Sequence, residues 1–196
     1  MRTKDENKEL AIRKEALEMI VEVGFDGLSM QKLAKAANVS PATIYLYFKN
    51  REDLIQQIYN ELSGKMLIAT LQNFNPDMSF KEGMKIQWQN RAKYMIEHPL
   101  EMKFLEQFKH SPFHERAMSD QEKTFREAMK TFVQNARANN ELIELPFELY
   151  WSVAYAPLYQ LVKFNTQGKS YLSPKFTLTN KHLDQALALV LKALKP

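Results

Sequence analysis

The sequence predicts an all-α protein, and three observations lead to that prediction. Apolar side chains recur at intervals of three and four residues along most of the chain, which is the spacing of one helix face. Only 5 glycines occur among 196 residues, and no long alternation of Val, Ile and Thr indicates a strand. Short polar segments that can cap helices separate the apolar runs. We therefore expect about nine helices, with a three-helix N-terminal head on a larger helical bundle.

The N-terminal head is predicted to contain one long and two short helices. The first spans residues 5–23 and ends at Gly24, which can adopt a left-handed conformation. The second spans residues 30–37 and the third residues 41–47, each with a serine at its N-cap position. The third also has a proline at its first helical position, where the missing N–H costs nothing.

Six further helices follow the head in the prediction. Asn50 is the N-cap of the first of them, and Asp53 lies three residues later in a capping-box arrangement. Pro157 falls inside the helix predicted from Phe147 and is expected to bend it. The predicted spans are 51–72, 80–97, 100–109, 120–138, 147–164 and 180–194.

Composition excludes several classes of protein. The absence of cysteine excludes disulfide scaffolds, thiol nucleophiles and thiolate metal sites. No window approaches the roughly 18 uninterrupted apolar residues of a transmembrane helix. The N-terminus is charged and lacks the apolar core of a signal peptide. We therefore expect a cytoplasmic location and no membrane partner.

The distribution of charge is more informative than the net charge of +4. Residues 27–51 contain four basic side chains and no Asp or Glu, namely Lys32, Lys35, Lys49 and Arg51. A stretch with one sign of charge favours a surface that meets an anion. A basic face that is merely solvated would give the same pattern.

The two short helices form a helix-turn-helix by their length and capping, and they lie within this basic stretch. The second helix of such a pair enters the major groove with its N-terminal end first. Thr43 lies in that end, and its hydroxyl and methyl groups suit a phosphate or a thymine methyl. Of the two tyrosines that follow, Tyr47 is favoured over Tyr45 as a DNA contact, and core packing is the alternative for both.

The head also contains turn, cap, aromatic and charged residues in a distinctive order. These are Gly24-Phe25-Asp26-Gly27-Leu28-Ser29, Leu33-Ala34, Val39-Ser40, Thr43-Ile44-Tyr45-Leu46-Tyr47-Phe48 and Lys49-Asn50-Arg51-Glu52-Asp53-Leu54. In this order they strongly resemble the N-terminal domain of TetR-family transcriptional regulators. The resemblance covers about residues 8–60, whereas the rest of the chain matches the family in length and helical character only.

The resemblance implies a homodimer that places two helix-turn-helix heads on a palindromic double-stranded DNA operator and is released by a small molecule. It divides the chain into a DNA-binding domain, residues 1–52, and a ligand-binding and dimerisation domain, residues 53–196. The family contacts DNA from the starts of the second and fourth helices and from the third. The matching residues here are Gln31, Lys32, Ser40, Thr43, Tyr45, Tyr47, Lys49 and Arg51. The amide of Gln31 can pair with adenine, whereas Met30, where the family often has a small polar residue, cannot donate to a phosphate.

The bundle is rich in Met, Phe, Tyr and Trp over residues 79–165. Such residues suit a mostly apolar pocket with a few polar groups, although an ordinary helical core would explain any one of them. The predicted pocket wall consists of Trp88, Phe108, Tyr150, Trp151 and Tyr155. Because no buried acid is evident, the expected effector is a small apolar or aromatic molecule.

The last predicted helix carries one apolar stripe, formed by Leu183, Leu187, Val190 and Leu194. The core of the domain itself could cover a single stripe of this kind. The family resemblance suggests instead that this helix and the helix from Phe147 form a four-helix interface between two protomers. These four residues are therefore the predicted dimerisation contacts.

The sequence gives no support for catalysis, and we expect no cofactor. It contains no HExxH motif, no glycine-rich phosphate loop and no GxSxG motif. His110 and His114 are four residues apart and could bind a metal from one helix face, but the Ser111-Pro112 break between them argues against it. The main prediction is a ligand-responsive repressor. The alternatives are a ligand-responsive activator and a helical ligand-binding protein with a weakened DNA head.

Overall fold

The computed structural model describes residues 5–114 and 119–196 of the chain. These residues form nine α-helices, one 3-10 turn and no strand, which confirms the all-α prediction. The helices are α1 Glu6–Gly27, α2 Met30–Ala36, α3 Pro41–Ile44, α4 Arg51–Thr70, α5 Phe80–Glu97, α6 Pro99–Lys109, α7 Asp120–Ala138, α8 Phe147–Gln167 and α9 Asn180–Ala193. The 3-10 turn spans Pro112–His114. None of the helices in the described ranges is both long and apolar enough to cross a lipid bilayer.

The chain divides into two compact units. The head unit comprises residues 1–65 and 98–117, and the body unit comprises residues 66–97 and 118–196. The sequence places a domain boundary between residues 52 and 53. The head unit instead extends to residue 65, and it also contains α6. Aromatic side chains of α6 pack there: the ring centroids of Phe104 and Phe25 are 5.8 Å apart, and those of Phe108 and Tyr59 are 3.9 Å apart.

The first helix is interrupted where the sequence predicts its end. Asp5 is the N-cap, and its side chain accepts a hydrogen bond from the backbone N–H of Asn7 at 3.1 Å. Gly24 has φ 77° and ψ 173°, a backbone conformation that favours glycine. The chain then completes one more turn up to Gly27, so α1 is longer than predicted.

The third helix is shorter than the predicted span of residues 41–47. Ser40 caps it as expected, since its hydroxyl accepts from the backbone N–H of Thr43 at 3.1 Å. After Ile44 the backbone tightens, and the N–H groups of Leu46 and Tyr47 donate to carbonyls only three residues back, at 3.1 and 3.0 Å. The α-helical pattern therefore ends at Ile44, although the chain continues as a turn.

The other predicted caps of the head are confirmed in part. Asn50 accepts from the backbone N–H of Asp53 at 2.8 Å, and the Asp53 carboxylate accepts from the backbone N–H of Lys49 at 2.8 Å. Ser29 occupies the N-cap position of α2, but its side chain makes no capping hydrogen bond. The start of α4 is therefore capped by two side-chain contacts, and the start of α2 has no side-chain cap.

The body unit has one hydrophobic core, to which α5, α7, α8 and α9 contribute. Gly83 of α5 lies directly against this core. An added Cβ atom at Gly83 would lie 2.4 Å from Cε2 of Phe132, whose side chain is fully buried. The absence of a side chain therefore lets α5 approach the ring closely.

We expect Gly83→Ala to destabilise the protein even though alanine is the better helix former. The clash with a buried ring costs about 1–3 kcal/mol, which exceeds the roughly 1 kcal/mol gained in helix propensity. Thermal unfolding followed by circular dichroism should show a lower Tm. Phe132→Leu makes room at the contact, so the double variant should lose less stability than the sum of the two single variants. Strict additivity would contradict the predicted clash.

Candidate nucleic-acid interface

The helix-turn-helix is formed by α2, a tight turn and α3. Asn38 lies in the turn with φ 53°, in the left-handed region that asparagine tolerates. Leu33 of α2, Ile44 of α3 and Phe48 after it are buried and fix the two helices to the head unit. The polar residues between these core positions are therefore held at the surface.

Most of the predicted DNA contacts are accessible. Gln31, Lys32, Ser40, Tyr45 and Lys49 are exposed, and Thr43 is half-buried. Tyr45 exposes 54% of its surface, which is unusual for a tyrosine next to a core residue. At the start of α3 the hydroxyls of Ser40 and Thr43 lie 2.8 Å apart, so both face the same end of the helix.

Most basic side chains of this surface have no acidic partner among residues 5–114 and 119–196. No ion pair in the described part of the molecule involves Lys32, Lys35 or Lys49. A surface lysine without an acidic partner remains available to a phosphate. We define the exposed residues Gln31, Lys32, Lys35, Ser40, Tyr45 and Lys49 as the basic face.

Tyr47 is placed differently from Tyr45. It is half-buried, and its hydroxyl donates to the carbonyl of Asp5 at 3.0 Å and accepts from the N–H of the same residue at 2.9 Å. The hydroxyl therefore connects the start of α1 to the end of the recognition segment. Tyr45 is therefore the more accessible of the two, whereas the sequence favoured Tyr47 as the DNA contact.

Arg51 makes contacts within the head unit. Its guanidinium donates to the backbone carbonyl of Phe25, lies 3.9 Å from the Asp26 carboxylate and is 6.0 Å from the ring centroid of Phe113. The carbonyl belongs to the segment after the α1 interruption at Gly24. Arg51 thus holds the end of α1 against the start of α4, which is a role in stability.

We expect Arg51→Met to lower the free energy of unfolding by about 1–3 kcal/mol, the loss typical of a hydrogen bond from a charged donor to a part-buried carbonyl. Lys49→Met is the matched control, since Lys49 is exposed and its side chain has no ion pair. Chemical denaturation should show a lower midpoint for the first variant only. Equal midpoints would contradict a structural role for Arg51.

The predicted pocket residues are brought together with one exception. Trp88, Tyr150, Trp151 and Tyr155 belong to the body unit, where the ring centroids of Trp151 and Tyr155 are 4.5 Å apart. Trp88 donates from Nε1 to the carbonyl of Ala154 at 2.9 Å. Phe108 lies in the head unit instead, because α6 packs on α1, so its assignment to the pocket wall is corrected.

The sequence analysis missed one residue of this cluster, Arg91 of α5. It is only 5% exposed, and its guanidinium carbon lies 4.6 Å from the ring centroid of Tyr155 and 5.3 Å from that of Trp151. Burial raises the pKa of the hydroxyls of Tyr150 and Tyr155, so both stay protonated at neutral pH. A signal was present, since Arg91 follows Trp88 by three residues on the apolar face of α5.

The structure also defines a groove at another place in the body unit. Its volume is about 190 Å³, and it contains none of the predicted pocket residues. It is lined by Leu67, Ile68, Leu71, Asp120, Gln121 and Thr124.

The predicted dimerisation stripe is turned toward the core of its own chain. Leu187 and Val190 are 6% and 5% exposed, Leu194 is fully buried, and the half-buried Leu183 packs against the same core. The stripe packs into the core of the body unit, which leaves little of it at the surface for a second protomer. Other apolar residues of the two helices are exposed, with Leu189 at 70% and Leu149 at 54%.

The described residues contain no group of three or more His, Asp and Glu that could hold a metal ion. His110 lies 3.7 Å from Glu106, and His182 caps α9 by accepting from the backbone N–H of Thr179 at 3.3 Å. The side chain of His114, the other half of the pair considered in the sequence, is outside the described part of the chain.

Two family descriptions match most of the chain. "Bacterial regulatory proteins, tetR family" matches residues 12–58, and "Tetracyclin repressor-like, C-terminal domain" matches residues 80–194. The second match alone covers more than half of the sequence. It extends the family relationship beyond the head, which is where the sequence resemblance ended.

Curated relatives match over shorter stretches. An uncharacterized HTH-type transcriptional regulator of Haemophilus influenzae is 39% identical over 90 residues, which is 45% of this chain and 48% of the relative. The fatty acid metabolism regulator protein of Bacillus subtilis is 34% identical over 71 residues, 36% of this chain and 37% of the relative. The chain thus spans about half or less of the length of the curated relatives it matches.

Solved structures share the fold over nearly the whole chain. A TetR family transcription regulator from Marinobacter aquaeolei VT8 superposes with a TM-score of 0.76 at 25% identity, covering 99% of this chain and 98% of that one. The transcriptional regulator FadR from Bacillus subtilis, in complex with stearoyl-CoA, gives a TM-score of 0.60 at 17% identity, with 95% and 99% coverage. These proteins are transcriptional regulators and not enzymes. The chain belongs to the TetR family of bacterial transcriptional regulators.

Proposed function

We propose that this protein is a homodimeric transcriptional repressor that binds a palindromic DNA operator and leaves it when a small effector with an apolar or aromatic body binds. The observation that carries the proposal is the basic face, a set of exposed polar and unpaired basic side chains on a capped helix-turn-helix. We infer a cytoplasmic location, since the target is chromosomal DNA.

Each part of the basic face has a role in DNA recognition. Gln31 presents an amide that suits the edge of adenine in the major groove. The hydroxyls of Ser40 and Thr43 at the start of α3, together with Tyr45, suit phosphates and base edges at the entry to the groove. Lys32 and Lys49 neutralise phosphates, which supplies most of the affinity but no sequence information.

The proposed homodimer uses exposed apolar side chains of α8 and α9. On α8, Leu149, Val153 and Ala156 follow the spacing of one helix face and are all exposed. Ala188 and Leu189 are exposed on α9, which packs against α8. Exposed apolar residues on two helices that pack together favour an isologous contact with a second copy, in which the same residues meet across a two-fold axis.

The aromatic cluster of the body unit supports a ligand with an apolar or aromatic part. Trp151 is half-buried, so its ring is reachable from the surface while it packs against the buried Tyr155. The regulator FadR of Bacillus subtilis, which shares this fold, binds stearoyl-CoA. This supports an effector with a long apolar portion.

The proposed mechanism is a change in the separation of two recognition helices. Two half-sites on one face of DNA lie one helical turn apart, roughly 34 Å, or at a related spacing. An effector that binds better to a dimer with a different separation lowers the DNA-binding population in proportion to its difference in affinity. The helix α4 runs continuously from the head unit into the body unit and is the natural connection.

Selection from a random pool of double-stranded DNA with the purified full-length protein tests the proposal. We expect an inverted repeat, bound with a steep dependence on salt. If each protomer contributes Lys32, Lys35 and Lys49, a plot of log affinity against log salt should have a slope of roughly −5. Recovery of sequences without two-fold symmetry, or binding of all sequences with equal affinity, would refute the proposed repressor.

A further inference from the structure

Arg91 is a buried cation, and none of the described acidic residues pairs with it. It lies on α5 in the body unit and is 5% exposed. No ion pair between the described residues involves it, and its Nε is buried without a hydrogen-bond partner. A buried charge normally has a counter-ion, since removing it from water is costly. The Arg91 guanidinium therefore lacks the negative charge that would balance it.

The protein satisfies the guanidinium only in part. Two of its five N–H donors have partners: Nη1 donates to the Tyr159 hydroxyl at 2.9 Å, and Nη2 donates to Oε1 of Gln87 at 3.3 Å. The rings of Phe125, Trp151 and Tyr155 lie 4.6–5.4 Å from the guanidinium carbon. Aromatic faces attract a cation without neutralising it, and they leave the remaining donors unused.

A second unused donor lies beside the first. The hydroxyl of Tyr155 is fully buried and makes no hydrogen bond of ordinary geometry with a described residue, although it lies near the Tyr150 hydroxyl and the Arg91 guanidinium. Its ring is the nearest of the three to the guanidinium. A tyrosine hydroxyl is protonated at neutral pH, and burial raises the pKa of Tyr155 further. The two groups together offer N–H and O–H donors and lack an acceptor, which is the complement of an anion that accepts hydrogen bonds.

We propose that Arg91 and Tyr155 bind the carboxylate of the effector, whose apolar body lies against the half-buried rings of Phe125, Trp151 and Tyr159. This inference rests on the proposed function, because it names the chemical class of the effector for the same regulator. The effector is then an organic acid with an alkyl or aryl body. The expectation of a small apolar or aromatic effector from the sequence did not include this anionic group.

A carboxylate matches the site better than other anions do. The planar guanidinium presents paired donors to the two oxygens of a carboxylate. The surrounding aromatic rings offer an apolar surface, which suits a charge attached to an apolar body. Acetate has the same charged group without the body and should bind at least tenfold more weakly than a larger acid.

Tryptophan fluorescence of the full-length protein measures binding without DNA. The sequence contains 2 tryptophans, Trp88 and Trp151, and both belong to this aromatic cluster. The probes are 4-phenylbutyrate and decanoate, compared with 4-phenylbutan-1-ol and decan-1-ol. We expect a saturable change in emission for both acids, with affinities at least tenfold higher than those of the matching alcohols.

Tyr155→Phe separates ligand binding from folding. Because the hydroxyl makes no hydrogen bond of ordinary geometry with a described residue, its removal should change the Tm little while it lowers the affinity for both acids by about fivefold or more. Tyr171→Phe is the matched control, since Tyr171 is 95% exposed. Arg91→Met should abolish the preference for acids over alcohols.

Three results would overturn this inference: no saturable response to either acid in the millimolar range, equal affinities for acids and alcohols, or an unchanged affinity in Tyr155→Phe. The DNA selection described above is independent of these measurements. If it recovers an inverted repeat while the acids fail to bind, the repressor stands and the carboxylate site is refuted. If acids bind and no operator is recovered, the carboxylate site stands and the repressor is refuted.

Discussion

Leu189→Lys is expected to convert the dimer into a monomer and to lower operator affinity by about 100-fold or more. Leu189 is 70% exposed on α9, next to the exposed Ala188. A leucine buried in an interface contributes roughly 1.5–3 kcal/mol, and an isologous contact contains it twice. The loss of roughly 3–6 kcal/mol corresponds to at least 100-fold weaker association. A buried lysine without a partner adds a further cost.

The effect on DNA follows from the loss of the second head. A monomer occupies one half-site and makes half of the phosphate and base contacts, so its affinity for the inverted repeat falls steeply. Sedimentation velocity measures the oligomeric state, and a gel shift with the selected operator measures DNA affinity. Circular dichroism should show an unchanged helical content, since an exposed side chain does not support the core of its own chain.

Leu172→Lys is the matched control for this substitution. Leu172 is 96% exposed in the loop between α8 and α9, and it is outside the proposed interface. The Leu172→Lys variant should remain a dimer with full operator affinity. If Leu189→Lys sediments as a dimer and shifts the operator like the control, the proposed interface is wrong.

The stripe of Leu187, Val190 and Leu194 illustrates what the sequence could and could not predict. Its spacing correctly predicts an amphipathic helix at the C-terminus. An apolar stripe does not indicate whether it packs into the core of its own chain or against a second copy, because both the core and an interface exclude water. The exposed Leu189 breaks the pattern, because the core of its own chain does not cover it.

The recognition segment shows a similar limit. Its caps and turn were predictable, because Ser40, Asn50 and Asp53 act on backbone groups only a few residues away. The roles of Tyr47 and Arg51 were not, since their partners Asp5 and Phe25 lie 42 and 26 residues away in the sequence. Local spacing carries no information on such contacts, which depend on how the helices of the head pack.

The same reasoning applies to the body unit. The aromatic cluster was predictable as a set, because large apolar side chains at helical spacing collect in one core. Phe108 also lies at helical spacing among large apolar side chains, but it belongs to the head unit. The sequence does not reveal this, because it depends on the packing of α6 against α1. Arg91 was overlooked because arginine is usually exposed. Its place on an apolar helix face was the available indication.

Removal of three side chains from the basic face should weaken operator binding by roughly 1000-fold or more without loss of stability. The variant combines Gln31→Ala, Tyr45→Ala and Lys49→Ala. All three residues are exposed, and their side chains make no hydrogen bond or ion pair within the described chain. The Tm should therefore change little. A base or phosphate contact contributes roughly 1 kcal/mol or more, and each is lost twice in a homodimer.

The single variants separate the roles of the three residues. Lys49→Ala removes one phosphate contact per protomer and should reduce the steepness of the salt dependence by roughly 2 without changing sequence preference. Gln31→Ala should relax the preference at one position of each half-site and leave the salt dependence intact. Fluorescence anisotropy with labelled operator variants over a series of salt concentrations distinguishes these outcomes.

Lys14→Ala is the control for charge, because Lys14 is a highly exposed lysine of α1 outside the helix-turn-helix. It should alter neither operator affinity nor the salt dependence to the extent that Lys49→Ala does. Equal effects of the two variants would mean that only the overall charge of the head attracts DNA. Unchanged sequence preference in Gln31→Ala would remove the assignment of base recognition to that residue. Either result would show that the basic face does not read the operator in the manner proposed.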